Sequence, residues 1–286
     1  MTNRSDGLVK QAAAQLPGAP RTFVNKCHGG ADSLVTSREA YEIAMRFFHG
    51  THHVSLWLDE AEVLRGMDAF GRSELFFGVC IKPRGVDFEL FHQSSEAENC
   101  YGPFRDARLT DGPPDLATEL SKTLDASGDE TTGWAGPNRL IWEGWVDRKS
   151  VPANEYGLVF RLDVYVGERD HFGFGFSDNI VFYKQYYVQV LTGEDEPRLL
   201  LHTGERYLGR RNSASPDELL RLAAEEGSGV QLGVPRPIAE DAVRERTFEV
   251  GGTGFRGVMR VGFNEVNEVG AEPDLEAAAQ EASDER

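Results

Sequence analysis

From Val54 onward the apolar residues of this chain recur at every second position, and that change of period constrains the fold more than any other feature. Val54-Ser55-Leu56-Trp57-Leu58, Glu74–Ile81, Val86–Leu90, Leu140–Val146, Leu158–Val166 and Tyr186–Leu191 alternate, or are rich in β-branched and aromatic residues. Successive side chains of an extended strand point to opposite faces, so each stretch can bury one row and solvate the other. Six such stretches over about 140 residues, with no helical period between them, predict an antiparallel β-sandwich. Val258–Val266 can return a further strand to it, and Phe248-Glu249-Val250 is strand-like.

Residues 1–53 read differently. Thr22-Phe23-Val24 is a short strand candidate. Thr36-Ser37-Arg38-Glu39 has the form of a capping box. Ala40, Ile43, Ala44, Phe47 and Phe48 then share one helix face, which stops at Gly50. That face needs a cover. A second box, Ser215-Pro216-Asp217-Glu218, opens a short helix through Ala224. Thr110–Asn138, rich in Gly, Pro, Ser, Thr and Asp, is expected to be a mobile polar insertion.

Charge is uneven. The chain of 286 residues carries a net charge of -17, yet residues 1–53 hold six Lys and Arg against four Asp and Glu. From Glu265 onward there are eight acids and one base, so residues 267–286 read as a solvated acidic tail. Such acidity disfavours nucleic acid as a partner. No apolar run approaches a membrane span, and the opening residues lack the layout of a signal peptide. Three cysteines, Cys27, Cys80 and Cys100, match no metal-ligand spacing or disulfide framework. A cytoplasmic setting without cofactor or metal is the expectation.

Two short motifs bear on chemistry. Ser5-Asp6-Gly7-Leu8-Val9 places an acid on a glycine turn, and Cys27-His28-Gly29-Gly30 ends a strand candidate in a histidine. With the helix after Thr36, this order resembles the C-terminal end of the α/β-hydrolase fold, in its lipase/esterase branch. The resemblance covers about the first 50 residues and implies Asp6 and His28 as catalytic acid and histidine. In such a triad the carboxylate orients the imidazole and stabilises its cation while the imidazole takes the serine proton. It also implies that residues 1–53 are a hydrolase remnant of strand plus helix, ahead of a sandwich at residues 54–266.

The nucleophile elbow Gly-x-Ser-x-Gly is absent from the sequence. Gly175-Phe176-Ser177-Asp178-Asn179 lacks the second glycine and sits between strands. Cys27 neighbours His28 on an extended segment and would face away from it, so it reads as a small buried residue. His49, His52 and His53 lack a completing acid or thiol and read as a helix end. Gly252-Thr253-Gly254-Phe255-Arg256-Gly257 matches G-x-G-x-x-G, but β-like alternation follows it, so a hairpin is expected.

The sandwich has a resemblance of its own. Ala61–Phe76, ending Asp68-Ala69-Phe70-Gly71-Arg72-Ser73-Glu74-Leu75-Phe76, is similar to the first loop of the calcium- and lipid-binding domain of protein kinases C and synaptotagmins. Leu162–Val166 with Glu168, Asp170 and Asp178 is similar to its second acidic loop. Glu74 and Leu75 stand where that family has Asp and Pro, and no clean Asp-x-Asp follows. The fold is therefore expected without the calcium.

Two functional readings follow. In the first, the chain is the C-terminal portion of a serine ester hydrolase. Asp6 and His28 act on an ester or lipid substrate, the serine lies outside this chain, and the sandwich is accessory. In the second, it is a non-catalytic β-sandwich binding module for lipid, protein or calcium. Both leave the helix face of residues 37–49 as a possible protein-binding surface.

Overall fold

A computed structural model describes residues 24, 30–31, 33–64, 73–83, 88–93, 100–104, 122–124, 130–132, 139–147, 158–170, 179–191, 198–203, 216–226, 228–235 and 245–266. The described chain is mainly β: two large antiparallel sheets and a separate two-stranded one, with two short helices. In order it runs α1 (Arg38–His49), β1 (His52–Val63), β2 (Ser73–Pro83), β3 (Phe91–His92), β4 (Tyr101–Phe104), β5 (Lys122–Leu124), β6 (Glu130–Thr132), β7 (Arg139–Val146) and β8 (Leu158–Asp170). It continues through β9 (Asn179–Leu191), β10 (Arg198–His202), α2 (Pro216–Ala223), β11 (Val230–Leu232), β12 (Val234–Pro235), β13 (Glu245–Gly252) and β14 (Phe255–Glu265).

The smaller sheet is ordered β12-β13-β14-β1-β7. The larger is β11-β10-β9-β8-β2-β3, with β4 also on β2. The chain crosses between them at Gly233, because β11 pairs β10 while β12 pairs β13. Two-residue steps put Leu56, Leu58, Val261 and Phe263 of one sheet opposite Phe77, Val79, Leu162 and Val164 of the other, in one apolar core. Phe255 lies 4.8 Å from Phe182 and 6.1 Å from Phe77, ring centre to ring centre, joining the layers. The coarse β-sandwich expectation therefore holds.

The Gly-rich motif is the hairpin of β13 and β14, turning at Thr253-Gly254 with Gly254 at φ +90°, a region that glycine enters without strain. The helix opened by Pro216 is also present. Within the polar insertion, β5 and β6 pair antiparallel, Lys122 with Thr132.

Several expectations move. The helix cap is Ser37 rather than Thr36: Ser37 Oγ accepts from the Ala40 amide at 3.2 Å and donates to Glu39 at 2.7 Å. Thr36 closes a preceding 3₁₀ turn, accepting from the Ser33 amide. His52 and His53 begin β1 instead of ending the helix. Phe88–Leu90 form no strand, and Phe91–His92 pair with β2 in their place. Glu168 and Asp170 belong to β8, and Glu74 to β2, so these acids stand in strands and not in loops. Of Thr22–Val24 only Val24 is described, outside any strand.

α1 leads directly into β1 and packs across β7. Ile43 touches the core, Phe47 meets Trp145 edge-on at 4.7 Å, and the Arg38 and Arg46 guanidiniums lie over the Phe88 ring. Much of its aromatic surface is nonetheless open: Phe47 is 51% exposed and Phe48 72%. Among the described residues, no helix is long and apolar enough to cross a membrane.

Candidate functional site

The inner face of the larger sheet is spent on the core. Its outer face carries the chemistry. On β2, β8 and β9 the outward positions include Gly78, Cys80, Arg161, Asp163, Tyr165, Tyr183, Gln185 and Tyr187. Strand register then builds a transverse row: His92 opposite Cys80, Cys80 opposite Asp163, and Asp163 opposite Gln185. Directly opposed residues hold their Cβ atoms ~5 Å apart, which makes this row a contact network. A second row runs Arg161, Tyr187, His202 and Val230.

Cys80 Sγ lies 3.4 Å from His92 Nδ1, and the same nitrogen is bonded to Glu89 Oε2, which reaches back from just before β3. Arg161 donates to Glu89 Oε1 at 3.0 Å and pairs with Asp163 Oδ2 at 3.0 Å. Asp163 is buried, and it also accepts from Gln185 Nε2 at 3.2 Å and Tyr183 Oη at 3.3 Å. One backbone and one side-chain bond fix the histidine strand: the Gln93 amide donates to Val79 O at 3.0 Å, and the Val79 amide donates to Gln93 Oε1 at 3.1 Å. Tyr165 Oη donates to Gln93 O at 2.6 Å. The tyrosine reaches there because its ring lies over Gly78, where a Cβ would sit 2.2 Å from Cζ.

This trio is not a nucleophilic triad. A relay needs acid and nucleophile on different imidazole nitrogens, whereas here both meet Nδ1. Burial pushes the Cys80 thiol up to about 12, with the Glu89 and Asp163 charges adding to it. Such a thiol is a poor nucleophile. What the arrangement offers is convergence: among the described residues, Cys80, Glu89 and His92 present ligand atoms all within 4.8 Å of one another.

The outer face of the smaller sheet is a contrast in satisfied charge. Arg260 donates to both Asp59 oxygens at 3.0 Å and to Glu245 at 2.6 Å, and stacks over Trp57 at 4.4 Å. Burial opposes its charge, but the bonds to Asp59 and Glu245 outweigh that, and the guanidinium is held above its ordinary value. Every arm of this cation is engaged in structure.

Asp6, His28, Cys27 and Ser177 lie outside the described residues, so the structure neither joins nor separates them. Nor does it describe the acids Asp68 and Asp178. The Cys80 cluster escaped sequence reading because Val86–Leu90 looked like a strand. With Glu89 in that strand, nothing brought it or His92 back onto Cys80. The available signal was Glu-x-x-His following a strand that carries a cysteine. No family model, curated protein or solved structure matches this chain.

Proposed function

We propose that this chain is the C-terminal portion of a serine ester hydrolase of the lipase/esterase kind, with the β-sandwich as its accessory domain. Asp6 holds the His28 imidazole in the tautomer that accepts a proton, and His28 takes that proton from a serine supplied outside this chain. The serine attacks the ester carbonyl, His28 returns the proton to the leaving alkoxide, and water then releases the acyl group by the same route. The substrate class is a carboxylic ester, including lipid esters.

The observation that supports this reading is α1. It forms where the hydrolase resemblance requires its closing helix, seated on β7 through Ile43 and Trp145. Yet Phe47 and Phe48 remain outward, beside a groove of about 290 Å³ lined also by Ala40, Ala44 and Trp142. Apolar patches of this kind mark interaction surfaces. On this reading a hydrolase sheet supplied outside this chain covers the helix.

The experiment joins the chain to the polypeptide carrying its Gly-x-Ser-x-Gly elbow and measures turnover of a short activated ester. The chain alone should be inert. The joined protein should turn over, with a loss of about a thousandfold or more in His28→Ala. Turnover indifferent to His28→Ala would remove the assignment. A second reading, a non-catalytic binding module, is favoured by the self-contained core of the sandwich. On that reading the helix face of residues 37–49 receives another protein, and no joined polypeptide confers esterase activity.

A further inference from the structure

We propose that Cys80, Glu89 and His92 form a site for a borderline divalent transition metal of the zinc class, with a fourth position open to solvent. Three donor types converge: a sulfur, an imidazole nitrogen and a carboxylate oxygen. The separation of Cys80 Sγ from His92 Nδ1 is 3.4 Å. A tetrahedral centre with metal–sulfur and metal–nitrogen bonds of ~2.3 and ~2.05 Å needs these ligands about 3.5 Å apart. Glu89 Oε2 contacts His92 Nδ1, so the carboxylate must swing away from the ring for an ion to enter and take all three ligands.

Without a cation, His92 Nδ1 meets the Glu89 carboxylate, and the Cys80 thiol lies beside the same nitrogen and donates to Gln93 O at 4.0 Å. A metal ion satisfies sulfur, nitrogen and oxygen together. The charges close as well. A Cys80 thiolate, Glu89 and Asp163 supply three negative charges, and the Arg161 that bridges the two carboxylates supplies one positive. A dication brings the bonded cluster to neutrality.

The surroundings orient the ligands, as outer-shell partners do in metal sites. Arg161 holds the far oxygen of Glu89. Gln93, locked to Val79 and capped by Tyr165, holds the strand that carries His92. The His92 side chain is 52% exposed, which leaves water access to a fourth coordination position. The donor set also selects the ion. Calcium and magnesium take oxygen ligands, whereas thiolate with imidazole suits zinc and its neighbours. This site is independent of the hydrolase reading, because it uses none of Asp6, His28 or α1.

The test is a titration of the reduced, metal-free full chain with Co²⁺, followed by displacement with Zn²⁺. One Co²⁺ should bind with a thiolate-to-metal charge-transfer band and tetrahedral ligand-field bands, and Zn²⁺ should bleach both. Cys80→Ser should abolish the charge-transfer band. His92→Ala, which alters a half-exposed side chain, should weaken binding at least tenfold, and excess Ca²⁺ should not compete. No charge-transfer band in the unaltered chain, or a band that survives Cys80→Ser, overturns the site. So does unchanged affinity in His92→Ala, which remains decisive if Cys80→Ser fails to fold.

Discussion

α1 and α2 are built to the same plan and end in opposite circumstances. Both are short, amphipathic, acidic in the first turn and basic in the last. α2 lays its apolar side on the outer face of the larger sheet, where Leu219, 1% exposed, packs with Leu191, Leu200 and Val230. α1 buries only Arg46, while Ile43 is half-covered and Phe47 and Phe48 look outward. Amphipathic period names the face that must be covered and is silent on what covers it. One helix finds its cover within the sheet beneath it. The other carries aromatic surface to which our functional reading assigns the rest of a hydrolase.

The sharpest break of this comparison is truncation at the covered helix. Leu219→Ala should cost about 2–4 kcal/mol in denaturant unfolding, as deletion of a fully buried leucine does. A loss below 1 kcal/mol would mean that α2 is as loosely held as α1.

Acidification tests the same covered region through His202, whose register neighbour Val230 lies under α2. Burial lowers its pKa from 6.5 to about 4. The unfolded chain therefore takes up a proton that the folded one refuses. Stability from this source is full above pH ~6.5 and is lost as pH falls toward 4, by ~3 kcal/mol at that point. His202→Gln should flatten the pH 4–6.5 limb of the stability curve. A slope unchanged in that variant would assign the acid sensitivity elsewhere.

Smaller effects are expected at α1. Ile43→Ala should cost about 1–2 kcal/mol, and Ser37→Ala about 1 kcal/mol through loss of the cap to Ala40. Phe48→Ser should lie within about 0.5 kcal/mol of the unaltered chain when α1 is uncovered. In the joined hydrolase the same substitution should cost more than 1 kcal/mol. Equal effects in the two settings would show that nothing seats on Phe48.

Much of the fold was legible because it is local. Alternation at Leu158–Val166 and Tyr186–Leu191 located β8 and β9, although both run longer than their apolar cores, to Asp170 and from Asn179. Polar residues at those ends stay extended because a neighbouring strand supplies their backbone partners, which no local pattern records. β10 to β12 were missed for the opposite reason. They are brief, and β11 and β12 change sheets within a few residues. The Cys80 site was illegible from spacing alone. Its members come from a strand, a loop and a two-residue strand, and they share a face only once β3 pairs Cys80 with His92.

The sequence by itself determined where the chain turns helical, where it alternates, that Gly252–Gly257 is a hairpin, and how acidic it is. These follow from side-chain period, caps and backbone freedom, which act over a few residues. Tertiary structure alone decided which rows become neighbours. Strand register set His92, Cys80, Asp163 and Gln185 in one line, and brought Arg260 to Asp59 across 201 positions of chain. It also decided that α2 is covered and Phe48 is not, because covering a face requires a second surface, and a helix's own residues do not specify one.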